Sequence, residues 1–176
     1  NTSLIPHTTV TYTSDNATGY LVYTPVSNAN GSAVITVTVT DNGGTANSGV
    51  ESRTRTFTVA VTAVNDEPSF TKGSDQTVLE DSGSSTTAAW ATSISEGPSN
   101  ESSQNITFNV SNNLNSLFSS QPAISSTGTL TFTPASNANG SATVTISLSD
   151  DGGTSNSGDD TYANQTFTIT VTAVND

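Results

Sequence analysis

Between Ile35 and Thr40 the chain changes character at every residue. Ala33, Ile35, Val37 and Val39 fall on one side of an extended backbone, and Val34, Thr36, Thr38 and Thr40 on the other. The same alternation returns at Ala142, Val144, Ile146 and Leu148, set against Thr143, Thr145, Ser147 and Ser149. Two further stretches put Phe57, Val59 and Val61, and Phe167, Ile169 and Val171, on one side. A period of two with one apolar face predicts half-buried strands of an antiparallel sandwich. Asn30-Gly31 and Asn139-Gly140 stand just before two of these strands and suit a turn with positive φ.

The strands come in two sets. Thr24–Gly49 aligns without gaps with Thr133–Gly158, and 17 of the 26 positions are identical. After one extra residue in the second copy, "TFTVAVTAVND" (Thr56–Asp66) matches "TFTITVTAVND" (Thr166–Asp176). A period of about 110 residues is too long for a solenoid repeat. It suits β-sandwich domains strung end to end. The boundary is expected at Asp66/Glu67, where Pro68 disfavours a helix or a paired strand. Residues 67–176 then form a complete repeat, and residues 1–66 the C-terminal portion of another that lacks roughly its opening two strands. Such a half-module exposes an open edge, which predicts strand exchange or pairing with another chain.

Composition narrows the functional classes. Thr/Val-rich stretches with short Gly/Asn turns read as all-β. Fifteen acids against Arg53, Arg55 and Lys72 leave a net charge of −12. That surface repels nucleic acid and anionic membranes and attracts cations. There is no cysteine, hence no disulfide framework and no thiolate metal site. With neither a signal peptide nor an apolar run long enough to span a bilayer, the stretch reads as an internal piece of a longer chain.

The stretch "VTVTDNGGTANSG…TFTVAVTAVNDEPSF" resembles the end of a cadherin-type repeat running into the next, and bacterial cadherin-like and Ig-like repeats of large surface proteins and adhesins most of all. That resemblance implies an Ig-like/cadherin-like antiparallel β-sandwich in tandem, outside the cell or on its surface. It also implies a linker, Asn65-Asp66-Glu67-Pro68-Ser69-Phe70, that takes part in calcium binding. By the same resemblance Asp41 and Asp150 are strand-end acids, and Glu80 in "QTVLED" serves the far pole of its own module, near Asp176. Calcium takes six to eight oxygen ligands, which repeated Asp and Asn supply without bulk. The ligand set expected at the 65/66 junction is Asn65, Asp66 and Asp150, with Glu101 or Glu96 helping. A plain rigid Pro linker is the alternative.

The chain also departs from that family. "TPASNANGS" (Thr133–Ser141) holds no carboxylate where classical cadherins carry an acidic motif, and "SEGPSNESSQ" (Ser95–Gln104) replaces an Asp-x-Asp. One or two ions per junction are therefore expected, not three. A second acidic cluster, Asp150, Asp151, Asp159 and Asp160, lies in a single loop and could gather a local ion or be a solvated hairpin loop.

Catalysis finds little support. His7 is the only histidine, no nucleophile elbow or phosphate loop occurs, and the carboxylates sit in turns. Lys72 leaves an isopeptide bond to an Asn conceivable. Trp90 reads as core of a second strand, or else as a stacking platform for a sugar. The expected protein is a non-enzymatic, calcium-stiffened stalk repeat, or alternatively a calcium-supported carbohydrate- or protein-binding module. Its partners would be neighbouring repeats and a homophilic, strand-swapped or glycan ligand.

Overall fold

The computed structural model describes residues 1–13 and 16–175 and is all-β, with several antiparallel sheets. Contacts divide the chain into two compact units, Asn1–Ala63 and the chain from Val64 onward. The hinge residues Val64, Asn65 and Asp66 belong with the second unit.

The second unit carries β5 (Ser69–Thr71), β6 (Gln76–Leu79), β7 (Ser85–Thr87), β8 (Thr92–Ser95), β9 (Thr107–Asn112), β10 (Phe118–Ile124), β11 (Leu130–Pro134), β12 (Gly140–Ser149) and β13 (Thr161–Thr172). One sheet runs β6-β13-β12-β9 and another β10-β11-β7, while β5 pairs with β8. The alternation read from sequence sets the core. Ala142, Val144, Ile146, Leu148 and Ile169 are fully buried, and they join Leu130, Phe132, Phe118 and Ile124 in one apolar cluster. The sandwich-like arrangement follows, because each sheet has a single apolar face and the two faces must cover each other. Trp90 lies in the turn between β7 and β8, not in a strand. It is 3% exposed, packs on Phe167 with ring centroids 4.3 Å apart, and donates its indole N–H to the Ser74 carbonyl at 2.9 Å. Gly31 and Gly140 adopt φ of 122° and 134°, as the turn dipeptides required.

One pairing departs from the antiparallel expectation: β6 runs parallel to β13, with Ile169 opposite Gln76 and Val171 opposite Val78. The reason is the path of the chain. The unit is entered beside the loop that precedes β13 and left beyond the end of β13. An early strand and the last strand that both travel from the first pole to the second must point the same way.

The first unit contains β1 (Thr8–Thr11), β2 (Tyr20–Tyr23), β3 (Gly31–Thr40) and β4 (Ser52–Val61), paired β1-β2 and β3-β4. These match β10 to β13. The Val26 N–H donates to the Leu4 carbonyl at 2.9 Å, as the Ala135 N–H does to that of Leu117 at 2.9 Å. The stretch without a counterpart in the first unit is therefore β5 to β9, longer than two strands. Its small core holds Leu4, Ile5, Ala33 and Ile35.

Candidate metal centre at the hinge

Asn65 is seated in the second unit by its own side chain. Its Nδ2 donates to Asp150 Oδ1 at 2.9 Å and to the Asp159 carbonyl at 2.7 Å, and its Oδ1 accepts from Gln104 Nε2 at 2.7 Å. The Asp159 N–H returns a bond to the Asn65 carbonyl at 3.1 Å. The loop after β12 is shaped to receive it, because Asp150 Oδ1 also accepts from the Gly152 N–H at 2.9 Å, folding the backbone back on the carboxylate. A β-carbon on Gly152 would overlap the Asn65 amide, so only glycine admits the hinge here.

The next residue is held by Glu101, at the end of the 3-10 turn Ser99–Glu101. Its carboxylate is 5% exposed, and it accepts the Asp66 N–H at 3.1 Å through Oε1 and 3.4 Å through Oε2. Gly97, at φ 139°, passes so close to this carboxylate that a side chain there would collide with it. Pro68 is fully buried just beyond the hinge.

The opposite pole repeats the device. Glu80, 6% exposed, accepts the Val174 N–H at 2.7 Å through Oε1, and Asn139 Nδ2 lies 3.5 Å from Oε2. Val174 is the counterpart of Val64 in the repeated phrase. Glu80 and Glu101 are the buried charged residues among those described, and each closes on the backbone of a hinge copy. A buried carboxylate is tolerated only when hydrogen-bonded, and a charge-assisted bond of this kind contributes about 1.5–3 kcal/mol.

Two oxygens at the first hinge stand out. Asp150 Oδ2 and Gln104 Oε1 are both buried and have no hydrogen-bond partner among the described residues. Both belong to side chains that bond Asn65, and both are acceptors. Buried acceptors left over beside a hinge suit a cation or an ordered water.

The remaining expected ligands are dispersed. Asp151 is committed to Asn105, with Oδ1 accepting the backbone N–H and Oδ2 the side-chain amide, each at 2.8 Å. The Asn105 side-chain bond, then its backbone bond, holds the Asp151 carboxyl below its ordinary value of 3.8. Asp159 Oδ1 accepts the Thr161 N–H and Asp160 Oδ1 the Thr161 hydroxyl. The loop acids thus turn to separate donors, Asp150 to Asn65 and Gly152, Asp151 to Asn105, and Asp159 and Asp160 to Thr161, and no three carboxylate or imidazole side chains among the described residues converge as a metal cage. Asp41 belongs to the first unit, where its Oδ1 accepts the Gly43 N–H at 2.8 Å just as Asp150 does with Gly152. Glu96 makes no side-chain hydrogen bond among the described residues, Asp176 lies outside them, and Lys72 is exposed.

Sequence reading missed Gln104, Asn105 and the Asp159 carbonyl. A carbonyl leaves no mark in sequence, and Gln and Asn are commonplace in this chain. The Pro98 that opens the turn before Glu101 was the one available signal. No helix of the described residues is long and apolar enough to cross a membrane. Comparison with protein-family models, with curated proteins and with solved structures returned no match.

Proposed function

We propose that the chain is a non-enzymatic spacer from a tandem array of Ig-like or cadherin-like repeats in a large secreted or cell-surface protein, with hinges stiffened by calcium. The observation that carries this reading is the pair of buried glutamates at the two poles of one unit, each holding a different residue of the same repeated phrase. The poles are separated by β13, whose 12 residues span about 40 Å. A unit entered at one end and left at the other transmits force along its length. Carried over to one junction, the two clamps would hold Val64 from the preceding repeat and Asp66 from the following one, with Asn65 locked between them.

Calcium enters through the leftover oxygens. Asp150, Gln104, Asn65, Asp66 and Glu101 are the residues that would hold it, and its charge would offset the carboxylates crowded at this pole. The chain's charge of −12 favours cation uptake in general. The test is backbone amide exchange of residues 64–67 together with thermal unfolding, in calcium and in chelator. Calcium should slow exchange at the hinge at least tenfold and raise the unfolding midpoint. Identical exchange and midpoints would refute the calcium part.

A second reading rests on the first unit. Tyr20 is 72% and Tyr12 59% exposed, whereas the Phe and Trp rings of the second unit are buried. Exposed tyrosines suit a glycan or protein ligand. A glycan array probed with and without calcium distinguishes this module from a plain spacer.

A further inference from the structure

The strand edges of the second unit are not equally protected. β10 carries Pro122 and two register shifts against β11. β5, β7 and β8 have only three or four residues, and β6 is bracketed by Asp75 on one side and by Glu80 and Asp81 on the other. Pro, bulges, shortness and charge are the devices that keep an edge from pairing with another chain. β9, "TFNVSN" at the end of the order β6-β13-β12-β9, has none of them. It runs six residues in unbroken register with β12, without Pro and without charge.

The register shows which backbone groups are left over. Thr143 turns toward β9, donating its N–H to Asn113 Oδ1 at 2.8 Å and accepting the Asn113 N–H at 3.2 Å. By alternation Thr145, Ser147 and Ser149 bond to Ser111, Asn109 and Thr107. The N–H and C=O groups of Phe108, Val110 and Asn112 therefore face outward, where no strand pairs with β9 among the described residues. Phe108 is buried and Val110 packs on the core, so the edge is held rigid, while Asn109 and Ser111 are exposed.

Charge selects the occupant. Between Glu101 and Asp150 the chain carries no charged residue, and that stretch supplies β9, β10, β11 and β12. In a protein of net charge −12 this is the side on which a second copy meets no repulsion. A basic partner is drawn instead to the acidic poles, and an acidic one finds no base here. The Asn and Ser side chains of β9 both donate and accept, so the edge is complementary to itself.

We propose that β9 pairs antiparallel with β9 of a second copy, about a twofold axis at Asn109, joining the two four-stranded sheets edge to edge. Phe108 of each copy then exchanges main-chain bonds with Val110 of the other, and Asn109 faces Asn109. The antiparallel sense also follows from charge. Asp151 is bonded to Asn105 beside the start of β9, and this sense sets it against the neutral Asn113–Asn115 end of the other copy. Parallel pairing would set Asp151 against Asp151, and like charges directly opposite destabilise a pairing. The contact is small, so the dimer is weak and reversible.

The test is sedimentation velocity of the full chain from micromolar to millimolar concentration, with residue-resolved amide exchange at both ends of the series. Expected is a monomer–dimer equilibrium with at least tenfold slower exchange at Phe108 and Val110 in the concentrated sample, and unchanged exchange along β4 and β6. Asn109→Asp is isosteric and exposed, and it places two carboxylates face to face at the axis. It should weaken the dimer at least tenfold and leave the unfolding midpoint of the dilute chain unchanged. A chain that stays monomeric, a dimer whose protection lies along β3, β4 or β6, or an Asn109→Asp dimer of parental strength would overturn the proposal. The exchange pattern of the parent chain decides the matter even where the variant loses its fold.

Discussion

Asn65→Asp separates a hinge locked by hydrogen bonds from a hinge that holds a cation. The substitution keeps the side-chain shape but turns the donor facing Asp150 Oδ1 at 2.9 Å and the Asp159 carbonyl at 2.7 Å into an anionic acceptor. The lost charge-assisted bond is worth about 1.5–3 kcal/mol and the neutral one about 0.5–1.5 kcal/mol. Two carboxylate oxygens held at the original spacing would repel by about 6 kcal/mol at an effective dielectric of about 20. The new side chain relieves most of that by turning away, so the net loss of hinge docking in chelator is about 3–4 kcal/mol. Local opening of this size accelerates amide exchange at Asp66 and Asp159 by roughly a hundredfold or more. In calcium the same carboxylate becomes an added hard ligand beside Asp150, and protection should return in large part. Exchange in chelator that matches the parent chain would refute the docking reasoning. Loss of protection that calcium does not repair would refute the cation.

Four further outcomes follow from the structure. Gly152→Ala forces the Asn65 amide out of its seat and should loosen the hinge by about 1–3 kcal/mol, the cost of leaving buried polar groups unpaired; urea unfolding and amide exchange of residues 64–67 read it. Trp90→Ala should destabilise the second unit by about 3–5 kcal/mol, measured by near-ultraviolet circular dichroism in urea, because it empties a site packed on Phe167. In the parent chain Trp90 fluorescence reports the second unit alone, and it should unfold later than the far-ultraviolet signal of the first, whose core is smaller. Finally, the Asp151 carboxyl is depressed in the folded state, so its bonds to Asn105 stabilise the fold above the ordinary value of 3.8 and are lost as pH falls through the lower folded value. Asp151→Asn should remove that acid-side component from a pH series of unfolding midpoints, and an unchanged series would contradict it.

How far sequence alone reached depends on range. The faces of β12 and β13 followed from period two, because Val144 or Ile169 has only one side to bury. The turns at Gly31 and Gly140 followed from local conformational cost. Asn65, Asp66, Asp150 and Glu101 were picked out through a resemblance, and the structure brings Asn65 to Asp150 and Asp66 to Glu101. What sequence did not show is non-local. Nothing in "QTVL" says that it pairs parallel with β13, because pairing sense depends on where the chain enters and leaves the unit. Gln104 and Asn105 look like solvated polar residues until the hinge arrives beside them. The direction of each loop acid was equally hidden: Asp150 and Asp151 are neighbours in sequence, yet one faces Asn65 and the other Asn105.

The claim at the centre is that the first hinge is a seat for calcium built from Asn65 and its partners. Residue-resolved amide spectra of the full chain, titrated with calcium from chelator, test it most directly. The account predicts saturable shifts concentrated at Asn65, Asp66, Glu101, Gln104, Asp150 and Gly152, including the side-chain amides of Asn65 and Gln104. No saturable shift, or shifts confined to Asp41 or to Asp159 and Asp160, would contradict it.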